Sequence, residues 1–110
     1  MVAPERGDLV YVDFDAQSGS EQAGIRPAIV LSPKQFNQIT GFTVLCPITK
    51  TVRGWGYEVA LPDSLAVSGV ILTDKVKSVD WNTRKLKIKG QAPEEIVEDC
   101  LAKIHTFLGQ

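Results

Sequence analysis

Three polar residues stand where short apolar segments begin or end, and their chemistry suits a phosphate. They are Glu21, Arg26 and Thr49, with Ser20, Gln22 and Arg53 close by in the chain. A guanidinium presents five fixed donors that match phosphate oxygens two at a time. Arg26 precedes Pro27 and an apolar run, so it reads either as such a phosphate ligand or as an ion-pair partner for Asp13, Asp15 or Glu21. The Thr49 hydroxyl can donate to a phosphate oxygen or satisfy a turn. The segment Lys50–Gly56 (KTVRGWG) adds Lys50, Arg53 and Trp55, two cations and an indole among glycines. An indole in a polar loop can stack on a base, whereas Trp81 can equally fill a core or a subunit contact.

Other chemistries are poorly supplied. The chain of 110 residues has one histidine and two cysteines, too few for the four ligands of a structural zinc site, so neither a metal nor any other cofactor is expected. Cys46, in an apolar run, and Cys100, in a helical segment, read as buried reduced thiols. His105 lies beside an apolar helix face and reads as a boundary packing residue, which leaves both thiols without the usual base partner. Glycines 19, 24, 54 and 56 fit neither a Walker loop nor a dinucleotide fingerprint.

Twelve Lys+Arg against thirteen Asp+Glu give a formal charge of -1, but the charges are unevenly spread. Over residues 75–89, Lys75, Lys77, Arg84, Lys85, Lys87 and Lys89 face Asp80 alone, which leaves +5. Residues 90–110 and 1–74 each carry -3. A nearly neutral chain can therefore still expose one basic surface. Lys85, Lys87 and Lys89 share one face of a strand, suited to tracking a phosphate backbone or to guarding a sheet edge; the edge guard is the simpler reading.

Periodicity supplies the scaffold. Leu9 to Phe14 alternates, with Val10, Val12 and Phe14 on one face. Ala28 to Leu31 is continuously apolar, as in a strand covered on both sides. Phe42, Val44, Cys46 and Ile48 form an inward row, which turns Thr43, Leu45 and Thr49 outward. Segments 57–61, 70–73, 76–79 and 86–89 complete about seven strands, the spacing of a mainly β fold such as a small barrel. Strand-edge Val70, Ile71 and Leu72 suit a core or an interface equally. A short helix is expected after Pro33. Ile96, Val97, Cys100, Leu101, Ile104, Phe107 and Leu108 recur at helical spacing after Pro93, predicting an amphipathic C-terminal helix over an open side of the sheet.

With no linker or repeat, residues 1–110 read as one domain. No run approaches the roughly 18 apolar residues of a membrane helix, and Met1–Arg6 has no signal-peptide core, so a cytoplasmic protein with no membrane partner is expected.

The blocks GDLVYVDFD (7–15), GSEQAGIRPAIVLSP (19–33), CPIT (46–49) and GVILTDKVKSVDW (69–81) resemble, in order, the MazF/PemK toxins of bacterial toxin–antitoxin systems. The resemblance implies an SH3-like barrel (α+β, mainly β), a homodimer, a metal-free endoribonuclease selective for sequences in single-stranded RNA, and a cognate MazE-like antitoxin. It places the catalytic arginine at Arg26 and the catalytic threonine at Thr49, with Glu21 in the loop associated with the active site. Ser20, Gln22, Lys50, Arg53, Trp55, Lys75 and Lys77 are the expected RNA contacts. Where some relatives carry histidine this chain has Ile25, so no imidazole acts there. The gyrase poison CcdB is similar in fold but binds a topoisomerase, and an inactive barrel that only captures antitoxin is a third reading; Arg26 together with Thr49 favours the nuclease.

Overall fold

The computed structural model describes residues 2–14 and 24–109. Seven strands form one antiparallel network: β1 Asp8–Asp13, β2 Ile25–Val30, β3 Phe42–Thr49, β4 Glu58–Ala60, β5 Val70–Leu72, β6 Lys77–Asp80 and β7 Lys87–Gln91. Helix α1, Lys34–Thr40, precedes β3, and helix α2, Glu94–Leu108, closes the chain. The order is β4-β5-β3-β2-β1-β7, with β6 also on β3. Strand β3 thus forks. Its first half, Phe42 to Leu45, pairs with β6, while Ile48 and Thr49 pair with β5. A single 3-10 turn, Thr73–Lys75, joins the two branches.

The curled sheet is covered on both faces. The inner core gathers Val10, Val12, Phe14, Ala28, Val30, Leu45, Val79, Trp81 and Leu86. The outer core gathers Leu9, Ile29, Cys46, Ile48, Val59 and Ile71 beneath Val97 and Cys100 of α2. This double covering corrects the simple alternation expected of β1 and β3. Leu9 is fully buried, because α2 and the β4–β5 hairpin roof the face that alternation alone would give to water. Thr43 and Leu45 are likewise fully buried, whereas Phe42, expected inward, is exposed at the start of its strand.

Burial of a polar Thr43 is tolerated because it joins a hydrogen-bonded node. Ser32 Oγ lies 3.3 Å from Thr43 Oγ1 and donates to Asn37 Oδ1 at 2.5 Å. Asn37 Nδ2 donates to the carbonyls of Pro4 and Ser32, at 2.9 and 3.1 Å. The Trp81 indole N–H donates to the Asn37 carbonyl at 2.8 Å, which assigns that ring to the core and removes it as a base-stacking or subunit-contact residue. Val70 and Ile71 are also core residues.

Helix α2 follows Pro93 as expected and buries Val97 and Cys100, with Ile96, Leu101 and Ile104 packed beside them. Its last turn overhangs the sheet, so Phe107 and Leu108 are exposed rather than buried. Among the described residues no helix is long and apolar enough to cross a membrane.

Candidate active site

Strand pairing puts Arg26 and Thr49 near the same end of two adjacent strands, β2 and β3. Strands β2 and β3 pair from Val30 opposite Leu45 to Ala28 opposite Pro47. Pro27 has no N–H to donate, and the ladder ends there. Continued by two residues, the same register sets Arg26 opposite Thr49, just beyond the last pair. On its other side Arg26 stands opposite Val12 of β1. Directly opposed residues share a face, so Arg26 and Thr49 both belong to the inner-core face, at its open end. Arg26 is exposed and Thr49 half-buried.

Thr49 is fixed from two directions. It pairs with Val70 of β5, and Gly69 beside it has φ +124°. A Cβ on Gly69 would lie 2.3 Å from the Thr49 carbonyl oxygen, so only glycine permits the two backbones to approach so closely. The Thr51 N–H donates to Thr49 Oγ1 at 3.2 Å. The turn role expected for this hydroxyl is therefore real, and since the oxygen accepts that bond, its own hydrogen stays available for a ligand.

Lys77 stands opposite Leu45, on the same face, and its Nζ lies 5.0 Å from the centroid of the Phe14 ring. This cation–π contact joins the start of β6 to the end of β1 across the inner core. Lys75 is exposed on the preceding turn. That turn is anchored by Thr73, whose hydroxyl donates to the Tyr57 carbonyl at 2.6 Å. Glu21, Ser20 and Gln22, like Asp15, lie outside the described residues.

Lys50, Arg53 and Trp55 are all exposed on the segment between β3 and β4. Glu58 holds that segment. Its carboxylate accepts from the N–H of Arg53, at 3.0 and 3.3 Å to its two oxygens, and from the N–H of Gly54 at 2.9 Å. Trp55 packs edge-on to Tyr57 at 5.5 Å, and Tyr57 edge-on to Phe107 at 5.7 Å. Glu58, Tyr57 and Gly69 are positioning residues that the sequence did not single out; an acidic residue just after a glycine-rich loop was the available signal for the first.

The thiols play no part in this surface. Cys46 and Cys100 are free and buried, as expected. Burial raises both, foremost by desolvating the thiolate: Cys100 is pushed up to about 12 and Cys46 well above its ordinary value. Neither is a nucleophile at neutral pH. His105 is exposed near the end of α2.

The class so defined is a small, curled antiparallel β protein that carries an exposed guanidinium, a half-buried hydroxyl, lysines and an exposed indole. Residues 5–108 match the family model of the PemK-like, MazF-like toxins of type II toxin–antitoxin systems, and the chain belongs to that family. It is 43% identical over 106 residues to the "Endoribonuclease toxin MazF" of Escherichia coli (strain K12), covering 96% of this chain and 95% of that one. It is also 43% identical over 109 residues to the "Endoribonuclease toxin ChpB" of the same strain, covering 94% and 93%. The crystal structure of MazF from Deinococcus radiodurans superposes with a TM-score of 0.93 at 40% identity, covering all of both chains. The MazF chain of a MazE-MazF complex from that organism superposes at 0.88 with 36% identity, covering 100% and 99%.

Proposed function

We propose that this chain is a cytoplasmic, sequence-selective endoribonuclease toxin that cuts single-stranded RNA through the RNA's own 2′-hydroxyl and is restrained by a cognate MazE-like antitoxin. The observation that supports the reading is the β2–β3 register, which carried two residues past its last pair would set Arg26 opposite Thr49, in a chain 43% identical to a named endoribonuclease. RNA supplies its nucleophile, so the protein has to align that oxygen with phosphorus, assist two proton transfers and stabilise charge on the phosphoryl oxygens. Arg26 holds the non-bridging oxygens as charge builds, and Thr49 donates its hydroxyl hydrogen to one of them.

The 2′-oxygen gives its proton to Glu21 or water as it bonds to phosphorus. The 5′-oxygen leaves with the bonding pair and takes up a proton. The first products are a 2′,3′-cyclic phosphate and a 5′-hydroxyl. No step requires a metal ion. Lys50, Arg53, Lys75 and Lys77 meet neighbouring phosphates, and Trp55 offers a stacking face.

The active form is a homodimer of two single-domain chains. Phe36, Ile39 and Phe42 form an exposed apolar patch on α1 and the start of β3, joined by Thr40, whose hydroxyl donates to the Phe36 carbonyl at 2.8 Å and accepts from the Phe42 N–H at 3.0 Å. That patch suits a subunit contact.

The test uses purified protein in EDTA with three substrates of one sequence: RNA, fully 2′-O-methylated RNA and DNA. Defined fragments from RNA alone, ending in cyclic phosphate, are expected. Cleavage of the methylated RNA overturns the mechanism, and intact RNA together with inhibited gyrase assigns the barrel to topoisomerase binding.

A further inference from the structure

On the face of the sheet turned away from Arg26 and Thr49, a cleft of about 610 Å³ opens between β1, β2 and β7. Tyr11 and Ile25 give it apolar walls, and Arg84, Lys85, Lys87 and Lys89 give it four cations. Among the described residues Asp13 is the one carboxylate lining it, which leaves +3 for those side chains. Lysines that merely guard a sheet edge need only point into water. Here they line a concave surface.

The turn that delivers them is strongly held. Arg84 donates to the Asp13 carbonyl at 3.1 Å, and its own carbonyl accepts from the Asp13 N–H at 3.3 Å. The Leu86 N–H donates to the Trp81 carbonyl at 3.2 Å, and the Leu86 side chain is buried in the inner core. Lys85 adopts φ +54°, and among the described residues it is the one non-glycine in the left-handed region. A lysine kept in that conformation marks a place where local geometry is set by its surroundings. Lys87 stands opposite Tyr11. Lys89 lies at the β1–β7 register shift, between the pairs Val10–Ile88 and Leu9–Gly90.

We infer that this cleft is a second RNA site, which grips a single-stranded segment flanking the scissile phosphate. The inference rests on the ribonuclease reading above. Alternate residues of an extended strand stand about 6.5 Å apart, a spacing that can follow successive phosphates, and Lys87 and Lys89 are such a pair in β7. The half-buried Tyr11 ring, backed by the outer core, provides the platform on which a base stacks. Cations along a groove with an aromatic floor are the two components of single-strand recognition; an acidic peptide would need only the first. Ile25 faces this cleft while Arg26, the next residue, faces the catalytic rim.

The experiment measures binding of a labelled, fully 2′-O-methylated RNA longer than about 16 nucleotides, which spans an extended site and cannot be cut, across a series of salt concentrations. Each phosphate contact on a single strand contributes about 0.7 to the slope of log K against log salt. The Lys87→Gln/Lys89→Gln double variant is expected to lower that slope by about 1.4 and, at about 0.1 M salt, to weaken binding by about 25-fold. Lys87→Arg/Lys89→Arg keeps the slope. An unchanged slope in the glutamine variant, with wild-type protein still cutting unmethylated RNA, overturns the cleft alone. Wild-type protein that neither binds nor cuts RNA overturns the ribonuclease reading and the cleft with it. Loss of affinity for an acidic peptide, with RNA binding intact, makes the cleft a protein-docking surface and equally overturns the inference.

Discussion

Replacing Gly69 by alanine is expected to displace Thr49, the proposed catalytic threonine, without touching it chemically. The new Cβ would stand 2.3 Å from the Thr49 carbonyl oxygen and 2.9 Å from its carbonyl carbon. An ordinary carbon–oxygen contact is about 3.3 Å, so one backbone must give way by about 1 Å. Overpacking of this kind costs about 1–3 kcal/mol, and the positive φ at residue 69 adds strain for any side chain. For a domain of this size each kcal/mol lowers Tm by about 4–8 °C. A 1 Å displacement at a catalytic group costs about a hundredfold in rate, so kcat on a fluorogenic RNA should fall by about that factor while the variant stays folded below its lowered Tm. Thr49→Ala is the reference, with an expected loss of about a hundred- to a thousandfold. If Gly69→Ala lowers Tm yet keeps kcat within about threefold of wild type while Thr49→Ala is inactive, the rate does not depend on where this contact places Thr49. If both variants cut normally, the threonine has no catalytic role.

Three further outcomes can be measured. Arg26→Lys keeps the charge but loses the two-pronged geometry, so kcat should fall by at least about a hundredfold with little change in Tm; near-normal turnover would move the phosphate ligand elsewhere. Glu58→Ala frees the Arg53 and Gly54 N–H groups, and it should raise KM for RNA several-fold and blur cleavage-site preference more than it lowers kcat, which sequencing of fragment ends would reveal. Burial raises the pKa of Asp8 above its ordinary value, although the Glu5 N–H and the Gln91 amide, at 2.8 and 3.0 Å, oppose the rise. The folded state then holds this proton more tightly than the unfolded chain, so the contribution of Asp8 favours folding below pH 3.8 and is lost as pH rises through the folded value; Asp8→Asn should flatten that part of a urea-midpoint profile.

All seven strands and both helices were legible in the chain, because apolar periodicity and proline or glycine punctuation mark elements locally. Facing was harder. Alternation assumes one dry face, whereas β3 runs between two cores, so Thr43 and Leu45 turned out as buried as Cys46. For the candidate site, residue types at 26 and 49 suggested phosphate chemistry, but their placement at one end of adjacent strands depends on a β2–β3 register that neither segment encodes alone. Glu58, whose only signal was the glycine-rich loop before it, was hard to single out for a related reason. A carboxylate that binds backbone N–H groups of a loop looks, in sequence, like any charged surface residue. The basic row from Lys85 to Lys89 was read as an edge guard because its concavity arises only when β7 curls beside Tyr11.

The placement of the two tryptophans gives the molecule a pair of separate optical reporters. Trp81, shielded and bonded to the Asn37 carbonyl, will emit to the blue and shift red only when the inner core opens, whereas Trp55 already emits from water and, under the proposed function, is the ring that an arriving base would quench. Unfolding and ligand capture can thus be followed in one unlabelled cuvette, at opposite edges of a single fluorescence spectrum.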